Sequence, residues 1–393
     1  MDALFYTLVG IDLNWSSLPQ QLVNGLVVGS IYALIALGYT MVYGVLRLIN
    51  FAHGEVFMLG AYTALLSSWV MGFSPDAIRK FYESEAAKKL ADPSYVERSI
   101  PADPFNLVIM ILLAMAVCAV IGAVIEFFAY RPMRNQSRTA ALITAIGVSL
   151  LLQYAGSLFL PASPPPSVAM EVNPYQTNVS VTLVPAPKEI RDKFDDSVSA
   201  LEAAKESGAD AETIGDLERK KNDLEGQVAA TATAITMTQG KIVMLLTVLV
   251  LMAALRFLVL KTPAGRSMRA ASHDFDSASL MGINVNRVVT FTFMLGSALA
   301  GAGAMMLVTF EGTSMQPFFG MAPGVKAFVA AVLGGIGNIP GAVLGGILMG
   351  LAETLVTWLG FSNYKDAVAF VILFIVLMFR PGGLLGSSKV EKV

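Results

Sequence analysis

Nine apolar runs, nearly free of charge, set the terms for this chain. They fall at about 21–45, 50–72, 105–129, 139–160, 241–260, 289–310, 322–337, 341–359 and 366–380. A helix crossing ~30 Å of hydrocarbon needs roughly 20 such residues. Charged residues make up 14% of the sequence, against about 25% in an average soluble domain. They concentrate in two stretches, 73–104 and 161–240. A soluble protein would spread charge over its surface, so the pattern calls for lipid as solvent. The expected fold is all-α: a polytopic transmembrane helical bundle of about nine spans, with an external helical hairpin insertion. The seventh run is short and meets Gly334-Gly335-Ile336-Gly337, so eight spans plus a re-entrant segment is the alternative.

Basic residues in short loops orient such a bundle. The loop from Arg131 to Arg138 carries three arginines and no acid. The loop 261–288 carries Lys261, Arg266, Arg269 and Arg287 against Asp274 and Asp276, and the tail carries Arg380, Lys389 and Lys392 against Glu391. All three are expected on the cytoplasmic face. Counting spans outward from them places 73–104, 161–240 and the N-terminus outside. Nine spans reconcile an outer N-terminus with an inner C-terminus; eight would strand the basic tail. The start lacks the basic region of a secretory signal, so the first apolar run reads as a retained span. The division expected is spans 1–2 in 1–72, an external insertion 73–104, spans 3–4 in 105–160, a second insertion 161–240, span 5 in 241–260, a cytoplasmic loop 261–288, spans 6–9 in 289–380 and a tail 381–393.

Within 73–104, Pro75, Pro93, Pro101 and Pro104 leave room for one short helix over 78–91. The second insertion opens with proline-rich chain, Pro161 to Pro187. Two helical patterns follow: Ile190, Phe194, Val198 and Leu201, then Ile214, Leu217, Leu224 and Val228, with Ser207-Gly208 as the turn between them. An antiparallel hairpin over 188–235 follows, either a post for a soluble partner or a tolerated insertion.

Several polar residues sit where hydrocarbon makes them costly. Asn50, His53 and Glu55 lie where a turn enters the second span; Asn50 is placed to cap that helix, and His53 and Glu55 are candidates for a pathway mouth or a boundary ion pair. Lys326 and Glu353 lie deeper and are expected to pair with each other or to line a path. Glu126, Arg256 and Glu311 read as boundary anchors reaching head groups. Gly334 to Gly341 cannot form a regular helix, so Gly335 and Gly337 mark a turn or gate. Glycines four apart, Gly25/Gly29, Gly341/Gly345 and Gly346/Gly350, let helices approach closely. Cys118, the single cysteine, reads as an apolar filler. No metal cluster, catalytic triad or paired carboxylates stand out, and the net charge of −2 argues against a nucleic-acid partner. No cofactor is expected.

In the loop 261–288, Pro263-Ala264-Gly265-Arg266 breaks the fifth span. Short helices are expected over Ser267 to Met281, closed by Gly282 as a left-handed cap. Asp276, Ala278 and Gly282 stand in the order acidic, small, Ala, three residues, Gly. This resembles the loop by which importer permeases dock a short helix on their ATPase; Arg266, Arg269 and Asn284 belong to the same candidate coupling loop.

The sequence as a whole resembles the H-type permease subunit of the high-affinity branched-chain amino acid ABC importer. The stretches that carry the likeness are Gly29 to Gly44, Ile49 to Glu55, Tyr130-Arg131-Pro132, Leu142 to Gly147, Gly265-Arg266, Leu280 to Asn284, Lys326-Ala327-Phe328, Ala330 to Gly337, Tyr364-Lys365-Asp366 and Val390 to Val393. It leaves out 73–104 and most of 161–240. The resemblance implies a bacterial inner-membrane, multi-pass permease that is not itself an enzyme, since the chain has no phosphate-binding loop. It implies a second homologous permease, two cytoplasmic ATPase subunits and a periplasmic binding protein delivering leucine, isoleucine or valine. Urea, amides or other amino acids are alternative cargoes; a stand-alone channel or secondary carrier is the alternative of another class.

Overall fold

Backbone N–H and C=O groups in hydrocarbon have no water to bond, so each apolar run must satisfy its own by forming a helix. The computed structural model describes residues 15–73, 75–91, 104–134, 136–162, 178–185, 187–207, 210–231, 233–311 and 315–386. Pro93, Pro101, Gly208, the proline-rich stretch 163–177, the N-terminal 14 residues and the basic tail beyond 386 lie outside them.

The helices are α1 (Leu18–Leu46), α2 (His53–Ser68, prolonged by the π-helical turn Trp69–Phe73), α3 (Pro75–Ala91), α4 (Pro104–Ile125, prolonged through a π-helical turn Glu126–Tyr130 to Met133) and α5 (Arg138–Phe159). After strand β1 (Asn178–Val184) come α6 (Lys188–Glu206) and α7 (Ala211–Thr231), then strand β2 (Thr233–Thr238). The second half holds α8 (Gln239–Lys261), α9 (Pro263–His273), α10 (Phe275–Leu280), α11 (Val285–Phe310), α12 (Met321–Gly334), α13 (Ile339–Trp358) and α14 (Ala367–Phe379). All nine expected apolar runs are helical. Six helices, α1, α4, α5, α8, α11 and α13, are long and apolar enough to cross a membrane. The chain is an all-α polytopic bundle in which α2, α12 and α14 are the short members.

α1 and α11 form its centre. Both are buried on most sides; α13 and α11 pack on α1, while α4 and α2 pack on α11. Glycines make the tightest crossing possible: a Cβ added to Gly29 would lie 2.8 Å from the Ile347 Cα, and one on Gly350 would run into the backbone of Gly29. Backbones meeting this closely gain dispersion contacts that lipid cannot supply.

The bundle has two distinguishable ends. At the loop end lie α9 and α10, between α8 and α11. At the hairpin end, β1 and β2 pair antiparallel, Asn178 opposite Thr238 and Thr182 opposite Ala234, and carry α6 and α7 as the hairpin. The ribbon was not foreseen, because its strands are separated by the whole hairpin. It is tied to the start of α1: Gln20 donates to the Thr236 carbonyl at 2.9 Å and accepts from the Thr236 N–H at 2.7 Å.

α2 and α12 begin inside the bundle. The His53 ring sits against Gly38, which lies eight residues before the end of α1, about 12 Å from that end. Gly54 in turn meets Gly320 and Gly324 at the start of α12. Residues 47–52 therefore climb back from the loop end, after Arg47 closes α1 at φ 53°, and the chain before α12 descends from the hairpin end. The two helices start at one depth and run in opposite directions. This inverted pair gave no sequence repeat.

Two expectations are corrected. Asn50 does not cap α2: the helix begins at His53 behind Ala52 with no side-chain cap. The Asn50 side chain instead accepts from the Tyr130 hydroxyl at 2.9 Å, because the climbing segment carries it toward α4. Glu126 does not reach toward head groups: its side chain is 0% exposed and pairs with Arg131 at 2.9 Å and with Arg134. The π-helical turn at Glu126–Tyr130 directs it inward.

Candidate functional site

The loop 262–284 is built from three successive side-chain caps. Thr262 accepts from the Gly265 N–H at 3.1 Å and starts α9. Asp274 accepts from the Ser277 N–H at 2.8 Å and starts α10. Asn284 accepts from the Arg287 N–H at 3.1 Å and starts α11. Each cap satisfies a donor that the new helix leaves open. The Asp274 carboxyl is held below the usual carboxylate range, chiefly by that Ser277 N–H. α10 closes at Gly282, φ 83°, with Ile283 N–H bonded to the Ala278 carbonyl at 3.0 Å and Gly282 N–H to Ser279 at 2.9 Å, a Schellman closure that needs a residue tolerant of positive φ.

This loop is tied down on one side and bare on the other. Met268, Ala271 and Ala278 are buried, and Arg269 donates to the Val259 carbonyl at the end of α8. Arg266 and Asp276 are exposed, and Leu280 and Met281 stand 89% and 83% exposed beside Gly282. Next to it an open cavity of about 1060 Å³ is lined by Arg47, Arg256, Arg269, His273, Gly337 and Asn338 among others. Gly335 (φ 105°) and Gly337 (φ 91°) form the turn from α12 to α13.

At mid-depth a smaller cavity of about 250 Å³ opens between the starts of α2 and α12 and the flank of α5. Glu55 lies on its wall, 2% exposed. Its Oε1 accepts from Gln153 at 2.6 Å and Ser149 at 3.2 Å; its Oε2 has no hydrogen-bond partner. His53 is fully buried on the other side of the turn, edge-on to Tyr39 at 4.6 Å between ring centroids, and does not line this cavity.

Toward the hairpin end, Lys326 lies between two carboxylates, Glu353 at 2.7 Å and Asp366 at 2.6 Å. The Tyr32 hydroxyl donates to the other Glu353 oxygen at 2.7 Å. Above them a cavity of about 530 Å³ is polar, with Glu353, Glu311, Lys241, Lys365 and Asn24 in its wall; Lys241 and Glu311 pair at 3.4 Å.

The candidate residues thus fall into three places, not one. The coupling-loop set is contiguous. Glu55 and Glu353 line separate cavities, with Lys326 bonded to Glu353; Gly337 lines the loop-end cavity, and Asn50 and His53 are enclosed in packing. Sequence reasoning missed Thr262 and Asp274, which precede their helices as ordinary cap residues, and Asp366 and Tyr32. It also missed Ser149 and Gln153, whose polar spacing of four on an otherwise apolar helix was the available signal.

The chain matches the family described as branched-chain amino acid transport system / permease component over residues 21–377. It is 34% identical over 374 residues to the high-affinity branched-chain amino acid transport system permease protein BraD of Pseudomonas aeruginosa, covering 95% of this chain and 97% of that one. Identity to the LivH permease protein of Escherichia coli (strain K12) is 34% over 377 residues, again 95% and 97% of the two chains. The ribose import permease protein RbsC of Haemophilus influenzae is 30% identical over 146 residues, 35% of this chain and 44% of that one. No solved structure matches. A family match spanning both halves of the bundle, together with relatives aligned nearly end to end, makes this chain a member of the branched-chain amino acid transport permease family.

Proposed function

We propose that the chain carries branched-chain amino acids across the bacterial inner membrane as one of two permease subunits of an ATP-driven importer. The loop end faces the cytoplasm and a pair of ATPase subunits. The hairpin end, with residues 73–104 and 161–240, faces the periplasm and the binding protein. In this reading the N-terminus is periplasmic and the C-terminus cytoplasmic.

One observation carries the coupling role: a loop locked by three caps and a Schellman closure presents two bare apolar side chains, Leu280 and Met281. A rigid projection continuous with α8 and α11 transmits displacement to both helices, and the two adjacent bare apolar side chains give a soluble partner a place to grip. An ATPase that binds this loop differently in its two nucleotide states shifts the permease between its own two states.

ATP-dependent leucine uptake by the reconstituted complex, with urea as a competing cargo, tests the reading. Gly282→Val puts a β-branched residue at φ 83°, strained whatever the space around it. The expected outcome is loss of ATP-driven uptake with normal insertion. Full uptake by the variant removes the lever assignment. Uptake by the unaltered chain without ATPases supports a stand-alone carrier instead.

A further inference from the structure

We propose that the mid-depth cavity at Glu55 is the site where the permease holds its cargo, with the Glu55 carboxylate receiving the primary ammonium of an aliphatic amino acid. This rests on the amino acid importer reading and names the recognition chemistry within it.

The first argument is the unfilled oxygen. A carboxylate at this depth is costly unless it is bonded or faces water or protein. Gln153 and Ser149 both bond Oε1, which leaves Oε2 buried in the cavity wall with nothing to accept from. A purely structural carboxylate is best served by sharing donors between both oxygens, since an unmet buried acceptor costs free energy. Here the two donors fix the carboxylate through one oxygen and leave the other unbonded.

The second argument is the wall. Apart from Glu55, Gln153, Ser149 and Tyr39, the side chains of the lining are apolar: Phe51, Ile146, Leu150, Val325 and Phe328 contribute. A hard metal ion favours several oxygen ligands, and this wall offers a single carboxylate, with Gln153 and Ser149 already donating to it. An ammonium bearing an aliphatic tail matches both parts. The volume, about 250 Å³, lies below the roughly 300–1,000 Å³ of sites for drug-sized ligands and suits a single small molecule.

The third argument is the backbone. Met321 and Gly324, in the first turn of α12, line the same cavity. The N-terminal end of a helix carries partial positive charge and favours a carboxylate. The cavity therefore offers a negative group and an apolar wall, with the α12 dipole as the positive end; the Met321 and Gly324 N–H groups already bond the Phe318 and Gly320 carbonyls and Pro323 has none. The starts of α2 and α12 place all three at one depth inside the bundle, the depth at which discontinuous helices in transporters hold their cargo. Ile146 and Leu150 line the cavity from α5 and are 44% and 47% exposed.

The test uses the complete importer in proteoliposomes with its binding protein. Glu55→Gln keeps the shape and removes the charge; leucine uptake is expected to fall at least about tenfold, the loss of one charge-assisted hydrogen bond, while ATP hydrolysis continues. A second arm leaves Glu55 intact and places a thiol at the wall, Val325→Cys, the native Cys118 being buried. Millimolar leucine is expected to slow its alkylation, and 4-methylpentanoate, with the same tail and carboxylate but no ammonium, is not. Undiminished uptake by Glu55→Gln, or equal protection by 4-methylpentanoate, overturns the assignment. If the unaltered importer fails to move leucine with ATP at all, the importer reading itself fails, and the two results are distinct.

Discussion

Glu126 stands between two arginines, Arg131 and Arg134, and also accepts from the Thr290 hydroxyl at 2.7 Å. The pair ties the end of α4 to α11 near the loop. Removing one member of a buried ion group leaves the other uncompensated and typically costs 3–5 kcal/mol. Arg131 keeps a 32% exposed side chain that water can serve, so Glu126→Gln is expected at the lower edge, about 3 kcal/mol, read as a lower melting temperature of the purified chain. Its sequence context, one acid near the end of an apolar run, suits a head-group anchor equally well. What reverses that reading is the π-helical turn, a one-residue register change that hydropathy does not encode.

Elements were legible to the extent that hydropathy alone defines them. Each of the nine runs became a helix, and Pro263, Gly282 and the glycine turn after Gly334 fell where backbone chemistry put them. Depth was not legible. The run at 50–72 reads as a span entered from the loop end, yet α2 starts about 12 Å inside, because residues 47–52 leave helical form, turn back into the bundle and bring Asn50 to Tyr130. The Lys326–Glu353 pair followed from two deep charges of opposite sign, whereas Asp366 and Tyr32 joined them through packing of α14 and α1 that no pattern announced. The small residues at spacing four did announce close crossings, and these set the cost of disturbing them. Gly350→Leu is expected to push α13 off Gly29 and sharply reduce folded yield. Gly147→Ala is the control: a Cβ there meets nothing within 4 Å, and relief of the glycine penalty in a helix gains roughly 0.5–1 kcal/mol. Fluorescence size-exclusion profiles of the two variants compare these outcomes directly.

For the molecule as a whole, the hairpin and the bundle hold together separately. Leu201 and Leu224 are buried between α6 and α7 but are not part of the core formed by the spanning helices. Replacing 188–231 by a short turn that keeps β1 and β2 paired is expected to leave insertion and thermal unfolding of the bundle unchanged, as followed by melting in detergent. A large drop would show that the hairpin braces the spanning helices.

The end of the described chain folds back on its own interior. The N–H groups of Leu384 and Leu385 bond the Leu333 and Gly334 carbonyls at 2.8 and 3.0 Å, and Asn338 donates to the Leu385 carbonyl at 2.6 Å. Those carbonyls are the orphaned acceptors at the close of α12, whose opposite terminus borders the Glu55 cavity. A tug on residues 384–386, whether from a fused tag or a docked protein, would reach the middle of the bilayer along a single rigid rod only fourteen residues long.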